Sequence, residues 1–307
     1  ATDGTRVAID EPEAAQFRRS VIEWLMINHP HDCPVCDEGG ECHLQDMTVM
    51  TGHAHRRYRG RKRTYRNQYL GPLIHHEMNR CIQCYRCVRF YVDHSGGNDL
   101  GVFASRDRVY FGRVEEGTLE SPFSGNLVEV CPTGVFTDKT YRRHYTRKWD
   151  LRSAPSICGH CSLGCNTLVG ARYGSVRRVS SRYNSEVNGY WLCDRGRFGY
   201  EHVNADDRLL KPQTPRRDGD ELGVPAGRVW DEATAAIRTA AATGKLAAVG
   251  SPRASLESNF ALRTLAGAES FCTGVAEPER RLVGRFADAA LAGAFHVPTL
   301  QEIEGCD

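Results

Sequence analysis

The chain has 307 residues, enough for two or three domains, and its 40% hydrophobic and 25% charged residues are the proportions of an ordinary folded protein. A formal net charge of +2 is too small to single out nucleic acid as a partner. No run of 18 apolar residues is available to cross a bilayer and no secretory pattern opens the sequence, so membrane association is expected to come through another subunit.

Taken in chain order, Glu11 to Asn28 is predicted to form an amphipathic helix. Ala15, Phe17, Val21, Ile22, Trp24, Leu25 and Met26 supply its apolar side, and Arg18, Arg19 and Glu23 its charge. Pro30 forbids a smooth continuation, and Gly39-Gly40 permits a tight loop beyond it. That loop carries Cys33, Cys36 and Cys42, a C-x2-C-x5-C set. Three thiolates leave a cubane cluster one ligand short. His29, His31 and His43 are all close, and spacing alone does not choose among them. A neutral imidazole in place of a thiolate leaves a cluster less negative and raises its potential, as in Rieske centres.

The stretch His53 to Arg66 is strongly basic and reads as a solvated surface segment, with a basic cover over anionic clusters or a subunit contact as the sharper reading. Tyr58, Tyr65 and Tyr69 interleave with it, but no nucleic-acid-binding motif accompanies them. The second set follows: Cys81, Cys84 and Cys87 form C-x2-C-x2-C, and Cys131 precedes Pro132. Three thiolates from one tight loop and one from a distant segment suit the corners of a cubane, whereas zinc prefers two pairs. Two-cluster ferredoxins carry C-x2-C-x2-C-x3-C-P twice, each fourth cysteine closing the other cluster. Reading back from Cys131 at that spacing meets Leu127, Ser124 and Ser121, and reading forward from Cys87 meets Tyr91. A ferredoxin that has lost one of two clusters is therefore expected.

The basic stretch Tyr141 to Lys148 is read as a join between domains. The third set, Cys158, Cys161, Cys165 and Cys193, again suits a cubane, with zinc a more serious rival, and its surroundings are rich in turn residues with little periodicity. Cys272 and Cys306 stand alone and read as ordinary thiols. Thirteen cysteines gathered into short-spaced sets favour metal binding over disulfides. Past Pro212, a helix at Val229–Ala242, a short apolar strand at Leu246–Val249, a Gly250-Ser251-Pro252 turn and a helix at Ser255–Ala266 announce an α/β domain. There is no G-x-G-x-x-G for a dinucleotide.

The run from Cys33 to Gln45 (CPVCDEGGECHLQ) and the run from Arg80 to Phe90 (RCIQCYRCVRF) resemble two signatures of the large iron–sulfur subunit family of respiratory complex I, NADH–quinone oxidoreductase. The resemblance extends from about Glu11 to about residue 210. It implies that His29 is the fourth ligand of the first cluster and that His31 and His43 are bystanders. It also implies a [2Fe–2S] cluster in an N-terminal domain not contained in this stretch, so the chain is read as an internal fragment. The third set resembles an extra [4Fe–4S] site that opens a molybdopterin-oxidoreductase-like domain. No molybdenum is expected. Arg195 stands where the molybdenum enzymes usually place a lysine, and Ser121, Ser124, Leu127 and Tyr91 depart from NAD-linked formate dehydrogenases with both ferredoxin clusters.

The expected fold class is α+β, with loop-rich iron–sulfur modules leading into the start of an α/β domain. Its segments would be a [4Fe–4S] domain with one histidine and three cysteine ligands at 1–52, a ferredoxin-like domain at 53–150, a third cluster domain at 151–211 and the α/β domain at 212–307. The family implies an electron-transfer subunit of a proton-translocating enzyme, with no substrate chemistry in this chain. It would sit peripherally on the cytoplasmic face of the bacterial inner membrane, held by partners that include a flavin-bearing, NADH-oxidising subunit. The alternative reading is the iron–sulfur part of a molybdenum-dependent formate dehydrogenase or nitrate reductase.

Overall fold

The computed structural model describes residues 2–208, 210, 226–293, 295, 296, 298, 302 and 303. The chain divides into two units, Ala1–Ala205 and Asp206–Asp307.

The first unit opens with α1 (Pro12–Met26), whose proline sits in the first turn, where no backbone N–H is needed. Ile22 and Met26 pack inward against Cys42 and Leu44, at the start of α2 (His43–Met50). The predicted apolar side is in fact two stripes. Phe17 and Trp24, seven residues apart, stand exposed and meet edge-on at 6.2 Å, on a different side from Ile22 and Met26. The helix stops at Met26, before Pro30.

The basic stretch that follows has neither helix nor strand, yet it is not a free surface segment. Arg57 pairs with Glu23 at 2.7 Å, Arg56 Nη1 donates to the Ile27 carbonyl at 2.9 Å, and the Arg63 amide donates to Asn28 Oδ1 at 3.1 Å. Lys62 Nζ donates to the His29 carbonyl. The segment thus straps the end of α1 and the turn behind it. The carbonyls freed where a helix stops need donors, and the long basic side chains supply them.

The central module runs β1 (Ile74–His76), α3 (Arg86–Asp93), β2 (Gly101–Phe103), β3 (Tyr110–Gly112), α4 (Leu127–Val130) and β4 (Phe136–Asp138). β1 pairs antiparallel with β4, and β2 with β3, so a β-α-β unit occurs twice and its outer and inner strands pair. Ile74, Met78, Phe90, Tyr91, Phe111, Leu127 and Phe136 form the core between them. Asp138 then caps α5 (Lys139–Arg142) by accepting from the Thr140 and Tyr141 amides. The stretch read as a domain join also acts as a clasp. The Lys148 side chain is buried between Glu38 at 2.9 Å and Glu41 at 3.0 Å, and Arg147 Nη1 donates to the Cys36 carbonyl at 2.8 Å.

A three-stranded antiparallel meander follows: β5 (Arg152–Ile157), β6 (Asn166–Arg172) and β7 (Ser175–Ser181). Nothing in the residue pattern announces it. Every residue of β5 is exposed, so the strand lacks the alternation that a half-buried strand shows. Helices α6 (Asp194–Phe198) and α7 (Glu201–Asn204) close the unit. Arg197, 2% exposed, locks this part to the central module by donating to Glu129 at 2.6 Å and to Asn126 Oδ1 at 2.9 Å.

In the second unit, α8 (Ala226–Ala242) precedes β8 (Ala248–Val249), α9 (Leu256–Ala266), β9 (Phe271–Cys272) and α10 (Glu277–Leu291). β8 and β9 pair in parallel with α9 as their crossover, the unit expected of an α/β domain. Ser255 caps α9 by accepting from the Ser258 amide at 3.1 Å. Cys272 is exposed on β9, and Cys306 lies outside the described residues. No helix among the described residues is long and apolar enough to cross a membrane.

His76 gives the central module an acid-sensitive component. Its ring stacks on Phe136 at 5.3 Å and accepts at Nδ1 from the Gln68 amide at 3.1 Å. Burial holds its pKa down at about 4 from an ordinary 6.5. The unfolded chain therefore binds the proton first, and stability falls as pH drops from 6.5 towards 4, by about 3 kcal/mol in all. Thermal unfolding from pH 8 to pH 4 should show this fall, and the His76→Gln variant should lose that part of it.

Candidate metal centres

The second set is the clearest of the three. Cys81 and Cys84 lie on the loop entering α3, Cys87 stands in the first turn of that helix, and Cys131 follows α4; all four line one cavity, with Tyr85 and Phe111 in its wall. Two non-glycine residues of that loop, Gln83 (φ 56°) and Tyr85 (φ 61°), hold left-handed backbone. Such backbone is costly for residues with a Cβ, and it curls the loop so that its thiols face one way. One amide of the loop, Gln83 N, points at Cys81 Sγ at 3.3 Å. Burial pushes the Cys81 thiol up to about 12, and raises those of Cys87 and Cys131 as well. Thiolates at such a site need a cationic group to hold them ionised. No three His, Cys, Asp or Glu side chains among the described residues close on a point fit for a single metal ion. The four thiols ring a space instead, an arrangement that fits a polynuclear cluster.

Where a second ferredoxin cluster would lie, Tyr91, Ser121, Ser124 and Leu127 are all buried. The Tyr91 hydroxyl donates to Asp99 at 2.6 Å and accepts from the Ser121 amide at 3.1 Å, and Asp99 pairs with Arg113. Ser124 donates to Asp194 at 2.6 Å. An aromatic ring and hydrogen-bonded polar side chains occupy the place.

The first set lies against the turn that carries Cys131. The Cys42 thiol points at the Pro132 carbonyl at 3.7 Å, and the His43 amide donates to the same oxygen at 3.1 Å. A Cβ on Gly134 would come within 2.5 Å of Cys36 Sγ, so only glycine lets the two loops approach so closely. Gly40, at φ 99°, has the Trp149 ring where its Cβ would be. Burial raises the Cys36 and Cys42 thiols and, opposed by Lys148, pushes Glu38 up to about 6. Of the three candidate histidines, His29 is buried while His31 and His43 are exposed. Among the described residues His29 Nδ1 is also a buried nitrogen with no hydrogen-bond partner. Burial lowers its pKa to about 4, keeping the ring neutral, as a metal ligand must be.

In the third set, Cys158, Cys161 and Cys165 lie on the β5–β6 connection, where the Cys158 amide donates to the Cys165 carbonyl at 2.8 Å. Cys193 caps α6, its sulfur accepting from the Gly196 amide at 3.4 Å, and the Cβ position of Gly196 lies 3.3 Å from Cys158 Sγ. The fourth thiol is thereby folded back onto the loop. All twelve described cysteines are free.

Three family profiles match in succession. They are described as the iron-sulfur binding region of NADH-ubiquinone oxidoreductase-G (residues 18–57), the ferredoxin-like domain of NADH-quinone oxidoreductase subunit 3 (71–137) and the molybdopterin oxidoreductase Fe4S4 domain (151–205). The whole chain is 60% identical to the G subunit of NADH-quinone oxidoreductase from Yersinia pestis, and 59% to that from Escherichia coli strain K12. In each case it spans 33% of the relative's length. A solved structure of NAD+-reducing [NiFe]-hydrogenase in the H2-reduced state is 24% identical over 45% of this chain and 61% of its own, with a TM-score of 0.41.

The packing at Gly134 makes a direct prediction. In the Gly134→Ala protein the added methyl should force Cys36 away and lower the unfolding midpoint by the equivalent of about 1–3 kcal/mol, the usual cost of overpacking. Gly284→Ala, on α10 where a Cβ meets nothing within 4 Å, should leave the midpoint unchanged or raised.

Proposed function

We propose that this chain belongs to the family of NADH-quinone oxidoreductase G subunits and is an electron-relaying segment of such a subunit. His29, Cys33, Cys36 and Cys42 would hold one [4Fe–4S] cluster, Cys81, Cys84, Cys87 and Cys131 a second, and Cys158, Cys161, Cys165 and Cys193 a third. When bound, such clusters supply one-electron carriers whose potentials span roughly −700 to +450 mV. The chain's own work is to fix the ligands, exclude water and set the local charge. A [2Fe–2S] cluster belongs to the same reading, in a part of the subunit outside this stretch.

The assembled enzyme would take electrons from NADH through a flavin-bearing subunit and deliver them to quinone, translocating protons. This chain would carry no substrate chemistry and would be held peripherally at the cytoplasmic face of the bacterial inner membrane. The first and second sets, joined through the Cys131 turn, are the links on the electron route. The third, tied to the central module by Arg197 and Asp194, has a structural part.

The observation that carries this reading is the convergence of four thiols, drawn from a loop and a distant turn, on one cavity. The molybdenum alternative gains nothing from the site, since Arg195 stands exposed in place of the usual lysine.

Metal analysis of anaerobically purified full-length protein should find about four iron atoms and four sulfides per thiol set, and no molybdenum. Zinc alone, or stoichiometric molybdenum, would sink the reading. In the His29→Cys protein the extra thiolate charge should lower the midpoint potential of one electron paramagnetic resonance signal and alter its shape. An unchanged signal and potential would remove His29 from the ligands. Cys158→Ala should reduce the yield of assembled complex more than the electron flux through what assembles, and normal assembly with blocked flux would overturn the structural role of the third site.

A further inference from the structure

Arg80 directly precedes Cys81, yet its side chain leaves the second loop. The guanidinium is buried and donates through Nε and Nη2 to Asp32 at 2.9 and 2.6 Å, and through Nη1 to the Gly134 carbonyl at 3.2 Å. Asp32 is the residue before Cys33. The Cβ position of Gly134 lies 2.5 Å from Cys36 Sγ, 3.1 Å from Arg80 Cδ and 3.3 Å from Arg80 Nη1, so the Cys36 sulfur and the arginine share one small space. Thr133 fixes the backbone at the same point by donating to the Arg80 carbonyl at 2.9 Å.

We propose that Arg80 is a positioning and potential-setting residue for the first cluster site, supplied by the loop of the second, so that one buried cation fixes the difference in potential between the two. This rests on the cluster assignment above. Adding an electron makes a cluster more negative, and a fixed cation in a poorly screened interior favours that state. The Cys36 sulfur lies in the same small space as the guanidinium, whereas the four sulfurs of the second set line a cavity whose wall does not include Arg80. Asp32 opposes it with a carboxylate whose side chain is 29% exposed, and so better screened than the guanidinium at 6%. Beside Cys36 the guanidinium is therefore the less screened of the two charges.

Redox titration by electron paramagnetic resonance of the intact complex tests this, with the His29→Cys protein identifying the first site's signal. Arg80→Gln should shift that midpoint downward and leave the second signal in place. Arg80→Lys should retain most of the wild-type value, and Asp32→Asn should shift the midpoint upward. Should Arg80→Gln fail to assemble, the upward shift in Asp32→Asn carries the test. Equal shifts in both signals, or none in either variant, would overturn the role of Arg80. Absence of iron–sulfur signals from the wild-type complex would instead refute the cluster assignment itself.

Discussion

The turn Cys131-Pro132-Thr133-Gly134 serves two cysteine loops at once, and the order of the first unit follows from it. Its first residue points a thiol into the second cavity. Its carbonyl at Pro132 receives the amide of His43 and faces the Cys42 thiol. Its glycine admits Cys36, and its threonine holds Arg80. The contact is so close because one position lacks a side chain and the other groups have exchanged hydrogen bonds. Two thiol sets that could have been separate modules are thereby held against one another through one turn.

Charge organises the surroundings of that turn. The first loop is acidic at Asp32, Asp37, Glu38 and Glu41, and each meets a basic residue from elsewhere in the unit: Arg80, Arg142, Lys148 and Arg178. Several of these partners are buried, where ion pairs are costly to desolvate and costlier to break singly. Such pairs specify how the loop sits more than they stabilise it. The basic strap over the end of α1 repeats the pattern, with Arg56 and Lys62 donating to the backbone carbonyls of Ile27 and His29.

The grouping of the thiols was legible in the sequence, because ligand geometry dictates their spacing and needs no tertiary information. The ferredoxin-like reading was legible too. The four positions that lack thiols predict a filled second site, and the repeated β-α-β arrangement carries Tyr91 and Leu127 where that filling occurs. What escaped depends on partners remote in the chain. The division of α1 into two apolar stripes needed knowledge of which face meets α2. The clasp formed by Arg147 and Lys148 could not be told from a solvated basic stretch without the acidic loop it grips. The sheet of β5, β6 and β7 left no periodic trace, since one of its strands buries nothing. Choosing among His29, His31 and His43 by residues alone was likewise impossible; burial separates them.

The filled site around Tyr91 carries a consequence for how such a protein changes over time. Restoring one cysteine there would evict nothing, because the phenol is held by Asp99 and Ser121 and the surrounding side chains have closed over it. Four thiols and the removal of a ring would have to arrive together, and each intermediate would carry a cavity or an unmatched carboxylate. The ring and its partners therefore hold that place closed against a single substitution.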